Sequence, residues 1–436
     1  MSLIFRNVEV SGRRCDVCIE GPTVIGVGNT VDSAQGDVVD GRGGALLPGL
    51  HDHHVHILAM AAADRSVQLA GLAADAASAA LRAAGESAPA GSWIRAIGWH
   101  GSDLDRAALD AVVPDRPVRV QHRSGALWIL NSLALEAVGI DEPTGRLFGM
   151  DDVVRERVPA EAPPDVAAVG RRLASYGVTG VTDATPTNRP DDIAALGGTD
   201  LDVLAMSAPA LPFEGNGPAK ILPADHALPG LDELVDEMGS ARADRRPIAI
   251  HCVTAAGLVL ALAAWDEVGV EPGDRVEHGS VIPDELVPML AERGLTVVTQ
   301  PNFVAERGDD YLAEVDAADK PFLYRCRSLL DAGVPVAFGT DAPFGDADPW
   351  KAIAAAVHRR TPSGATVLPG EGVDAHTALA KFLSAARAPG GAARRVEVGG
   401  AADLVLLDAP LAEALAEPSS ERVRMTLRRG EVTFCR

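Results

Sequence analysis

Eight short strand-like segments recur along the chain, at 49–56, 178–184, 201–207, 218–223, 248–253, 275–281, 295–301 and 334–341. Most are followed by an Ala-rich stretch with helical character, and alternation of this kind is the pattern of parallel βαβ units. Eight such units are what a (β/α)8 TIM barrel requires, so an α/β barrel is the expected fold over 48–394. Two spacings are irregular. Residues 57–177 are too many for a loop and predict an inserted subdomain at about 65–170, of the kind that can cover a substrate. Between the third and fourth segments only SAPALPFEGNG is available, too short and too rich in Pro and Gly for a covering helix.

The two ends read differently from the middle. Residues 1–47 contain LIFRNVEV, RCDVCIE, TVIGVG and DVVDG, short strands separated by tight turns, and 395–436 contain ADLVLLD and RVRMTLRRGEVTF. Together they predict a small β-sandwich assembled from both termini. At 436 residues the chain can bury a large core. A formal charge of −22 argues against nucleic acid as a partner, because phosphate binding needs a basic surface. No apolar run reaches the roughly 18 residues of a membrane span, and MSLIFRNVEVSGRR has no leader-like pattern, so no membrane partner and a cytoplasmic location are expected. The five scattered cysteines make no disulfide framework, and Cys15 and Cys18 lack the second pair that would complete a zinc site.

Chemistry concentrates at the ends of the strand segments. In Pro48-Gly49-Leu50-His51-Asp52-His53-His54-Val55-His56 a turn leads into an extended run whose side chains alternate. Asp52, His54 and His56 then share one face, with His51 and His53 structural on the other. Two imidazoles at that spacing can hold one metal ion. Lys220, His251, His278 and Asp341 occupy corresponding positions at the ends of later segments, and a barrel aims those ends at one spot.

This pattern resembles the amidohydrolase superfamily of metal-dependent hydrolases. PGLHDHHVH looks like its first-strand His-x-His signature, IAIH and RVEHGS like its fifth- and sixth-strand histidines, and FGTDAP like its eighth-strand aspartate. GWHGSDL, WILNSLALEAVGI and DAPFGDADPW are similar to the amidohydrolase-3 branch, which includes N-substituted formamide deformylase-like proteins. The resemblance implies one or two divalent metal ions, zinc being the expected ion. His54 and His56 would hold one, His251 and His278 the other, with a carboxylated Lys220 as the bridge. Two departures stand out. Gly125-Ala126 replaces a Gly-His of the branch, leaving His122 as the nearest histidine, and Leu222-Pro223-Ala224-Asp225-His226 follows Lys220 where relatives read Asp-Gly.

The function so implied is hydrolysis of a C–N bond in an amide, N-substituted formamide or cyclic amide by metal-activated hydroxide. Asp341 would be both a ligand and the catalytic base. Asp52 is expected to orient a ligand histidine from behind. His122, Arg123 and Trp128, with Trp99 and His100, are candidates for contacting a small-molecule substrate. No phosphate loop or dinucleotide fingerprint is present, so no organic cofactor is expected, and a homo-oligomer stays open. Two alternatives also stay open. A deaminase of the same superfamily usually needs a glutamate soon after a barrel histidine, whereas Cys252-Val253-Thr254-Ala255 follows His251. A non-catalytic barrel scaffold would have no need of these histidines or of Asp341.

Overall fold

The computed structural model describes residues 2–28, 36–89, 91–158, 164–211 and 217–436. The fold is mixed α/β, and the chain divides into two compact units, 1–57 with 166–436 and 58–165.

In the first unit, each of the eight expected segments contains a strand. One parallel sheet has the order 202–205, 178–183, 50–55, and a second has the order 219–221, 248–252, 275–278, 296–299, 336–338. Backbone bonds join their ends. A parallel bridge pairs Ser207 with Ala219, and at the other side Asp341 N donates to His54 O and His56 N to Ala342 O, both at 2.8 Å. Helices follow most strands, among them Leu231–Ala243, Ala255–Val268 and Leu286–Arg293. Between the third and fourth strands, 212–216 lie outside the described residues, and the described flanks carry no helix. Every residue of Leu50–Val55 is buried, as befits a parallel strand covered on both faces.

The terminal segments form two four-stranded sheets, ordered 23–28, 13–20, 2–10, 37–40 and 431–435, 423–428, 404–407, 46–48. Phe5, Val8, Val17 and Ile19 of one sheet and Leu46, Leu404, Leu406 and Leu427 of the other belong to a single apolar core. Phe5 and Val8 are an odd number of residues apart and would face opposite ways on a regular strand. A register shift between them, with Asn7 at φ +53°, brings both inward. Cys15 and Cys18 lie on the strand Arg13–Glu20, and none of the five cysteines is in a disulfide.

The second unit is built on one five-stranded sheet ordered 146–148, 127–130, 118–122, 94–99, 67–68. Strand alternation gives it two apolar faces. Ile129 joins Leu81, Ala96 and Val120 on one, while Trp128 and Leu130 join Leu135, Val138 and Leu147 on the other. Among the described residues of the whole chain, no helix is long and apolar enough to cross a membrane.

Candidate metal centre

Four consecutive polar residues, His51 to His54, are buried in one strand, so each needs a partner. Alternation sorts them. On one face His51 Nε2 lies 2.9 Å from Thr182 Oγ1, and His53 Nε2 lies 2.9 Å from Ser384 Oγ. On the other, Asp52 accepts from His54 N at 3.1 Å, Thr340 N at 3.0 Å and Thr340 Oγ1 at 2.6 Å. Asp52 therefore ties the backbone of the His54 strand to the backbone just before Asp341. Asp52 thus meets the candidate ligand His54 at its backbone, while the carboxylate on His54 Nδ1 belongs to Glu277.

Around this strand the other ends converge. One ligand atom from each of His54, His278 and Asp341 lies within 4.8 Å of the others, a group able to hold a metal ion. Asp341 Oδ1 is 3.6 Å from His54 Nε2 and 3.2 Å from His56 Nε2. His251 adjoins the group through His278, with ring centroids 4.5 Å apart, and its Nε2 lies 3.7 Å from Asp225 Oδ2. His278 and Asp341 both have positive φ, +69° and +57°, an unusual conformation for residues other than glycine. It turns these side chains out of strict strand alternation at the ends of their strands. Gly339 makes the close approach feasible: a Cβ there would lie 2.5 Å from His54 Cβ and 2.7 Å from His54 N.

The electrostatics follow from burial. Desolvation lowers the His54 imidazole to about 4, against the pull of Glu277, and lowers His278 well below its ordinary value. Both rings are then neutral near pH 7, the form that donates a lone pair. Burial pushes the Asp341 carboxyl up, but its hydrogen bond with His56 and the neighbouring His54 and His278 bring it below the usual range. Asp52 is raised by burial to about 7, with the Asp341 charge adding to the rise and its hydrogen bonds to Thr340 and His54 opposing it.

Lys220 is buried and its Nζ has no hydrogen-bond partner among the described residues. Burial lowers its pKa, while Glu277 and Asp341 act in the opposite sense. A buried amine without a partner is costly unless something occupies the space before it. Together with neutral imidazoles and a carboxylate, it makes a nitrogen and oxygen donor set suited to a divalent cation.

The remaining candidates lie in the second unit. His122 ends the strand Val118–His122, with Nδ1 2.9 Å from Ser124 Oγ and its ring 5.7 Å from that of His100. Arg123 follows it and donates its backbone N–H to Trp99 O. Trp128 and Trp99 are buried in that unit's apolar core, and the guanidinium groups of Arg95 and Arg119 each stand 5.5 Å from the Trp128 ring centre. This burial gives Trp128 a packing role in that core. Sequence reading passed over Glu277 and Thr340, and also Thr185, whose Oγ1 lies 2.8 Å from His56 Nδ1, and Gln300, whose Oε1 lies 2.8 Å from His278 Nδ1. Glu277 carried a signal, standing next to His278 in RVEHGS, but regular alternation would turn one of the two away.

A model of the amidohydrolase family matches residues 37–434. The N-substituted formamide deformylase of Arthrobacter pascens is 25% identical over 461 residues, covering 85% of this chain and 85% of that protein. YtcJ of Bacillus subtilis (strain 168), named as an amidohydrolase, is 24% identical over 446 residues, covering 82% of this chain and 83% of its own length. Among solved structures, an uncharacterized metal-dependent hydrolase from Pyrococcus horikoshii OT3 shares the fold with a TM-score of 0.74, at 21% identity, over 94% of this chain and 97% of that one. With a family model spanning nearly the whole sequence, the chain belongs to the amidohydrolase family of hydrolytic enzymes.

Proposed function

We propose that this protein is a metal-dependent amidohydrolase that cleaves the C–N bond of an amide, N-substituted formamide or cyclic amide. Its two parallel sheets would close as a (β/α)8 barrel, and its terminal sheets would stack as a β-sandwich. The observation that carries the reading is the convergence of His54, His278 and Asp341, from three separate strand ends, on one buried spot. The likeness to the Arthrobacter pascens deformylase supports a formamide or other small amide as substrate.

His54, His56, His251, His278 and Asp341 would hold one or two divalent ions, zinc being the expected one. Lys220 would join them after its neutral amine adds to carbon dioxide and releases a proton, giving a carbamate. Burial favours that neutral amine. A divalent ion bound here would polarise a carbonyl oxygen and make water more acidic. Asp341, kept ionised by its hydrogen bond with His56, would take a proton from the attacking water and return it to the departing amine. Asp52 would keep Asp341 in place by binding Thr340.

The test is amine release from a panel of N-substituted formamides, N-acyl amines and cyclic amides by protein carrying its metal. Wild-type protein should release amine from at least one class, and Asp341→Asn should lower the rate by about 10²–10⁴-fold. Full activity in Asp341→Asn, or no amine release from any class by metal-loaded wild type, would overturn the reading.

A further inference from the structure

We infer that Glu277 and Gln300 are positioning residues that decide which nitrogen of His54 and of His278 is offered to a metal ion. The inference rests on the reading that this cluster holds a divalent cation, and adds a role for two residues outside the ligand set.

His54 Nδ1 is bonded to Glu277 Oε2. An ionised carboxylate only accepts, so Nδ1 carries the hydrogen and Nε2 keeps its lone pair. Nε2 is also the atom 3.6 Å from Asp341 Oδ1. At the next imidazole His278 Nδ1 lies 2.8 Å from Gln300 Oε1 and 4.0 Å from Asp341 Oδ2, and the shorter contact with Gln300 takes its hydrogen. Gln300 Nε2 donates to Val298 O at 3.4 Å, which turns the amide so that its carbonyl faces the ring. Both neutral rings therefore have Nδ1 occupied and Nε2 available, and their centroids are 4.7 Å apart.

Glu277 cannot swing aside. It is fully buried, and its other oxygen, Oε1, accepts from Arg275 Nε. Arg275 Nη2 donates in turn to His53 O at 3.2 Å, in the strand that carries His54. A pair serving only core stability would be expected to close as a two-pronged fork between guanidinium and carboxylate. Here the second carboxylate oxygen is given to a histidine, and Arg275 Nη1 has no partner among the described residues. That geometry is explained by a need to hold the ring. A carboxylate behind Nδ1 also makes Nε2 a stronger donor, and fixing both rings beforehand lowers the ordering cost of binding.

The experiment is competition for Zn²⁺ between a chromophoric chelator and the full chain, as wild type, Glu277→Gln and Gln300→Met. It is paired with imidazole ¹⁵N spectra of zinc-loaded, histidine-labelled wild type. Each variant should lose roughly 10–100-fold in zinc affinity. The spectra should show ligated Nε2 and protonated Nδ1 at both His54 and His278. A ligated Nδ1 at either residue would overturn the inference. So would variants that bind zinc as tightly as wild type while melting at lower temperature, since that is the signature of a purely structural Arg275–Glu277 pair. If Glu277→Gln does not fold, Gln300→Met and the wild-type spectra decide. Wild type that binds no zinc would sink the metal reading itself, a result distinct from equal binding by all three proteins.

Discussion

His54 and His53 carry the largest consequence of putting histidines in a buried strand. Burial lowers them to about 4 and about 3, whereas in the unfolded chain a histidine titrates near ~6.5. Below ~6.5 the unfolded state takes up protons that the folded state refuses, so stability is complete above that pH and declines as pH falls toward about 4. His51 and His278 are shifted in the same direction. Asp52, raised to about 7, has the opposite sign and offsets part of the loss. Chelator-treated protein should therefore show a urea midpoint that drops between pH 7 and pH 5. His53→Gln should flatten that drop, and an unchanged slope would show that His53 titrates normally in the fold. At this scale the sequence was partly legible. His54, His278 and Asp341 were marked by their positions at segment ends. Glu277 was not, because the positive φ that lets both it and His278 serve the cluster is a backbone property that no residue pattern displays.

Whole strands were easier to read than their contacts. All eight central strands fall inside the strand-length segments that announce them, most of which are the apolar runs that a strand covered on both faces favours. How tightly two strands approach is set elsewhere, as at Gly339. Adding one methyl there, as Gly339→Ala, would press on the backbone and Cβ of His54. The expected cost is about 1–3 kcal/mol by denaturant titration, with weakened metal binding, and wild-type stability would contradict it. Trp128 shows the limit of composition as a guide. From the sequence a Trp near His122 and Arg123 could be read as a pocket wall or as subdomain packing, and strand alternation turns its ring into the core of the 58–165 unit. Trp128→Ala should therefore destabilise that unit by about 3–5 kcal/mol, visible as an early unfolding transition. A variant with unchanged unfolding would return Trp128 to the list of ligand contacts.

For the molecule as a whole, chain order says little about where chemistry gathers. His54 and Asp341 are separated by most of the sequence, and their meeting depends on the last central strand returning beside the first. The bonds from Asp341 N to His54 O and from His56 N to Ala342 O make that return concrete. The central claim is that this convergence is a metal centre. It is tested most directly by elemental analysis of protein purified without chelator, beside a variant with His54, His278 and Asp341 all changed to Ala. The account predicts one or two divalent ions per wild-type chain and a clear loss in the folded variant. Folded wild-type protein that hydrolyses an amide while containing no divalent ion would contradict it.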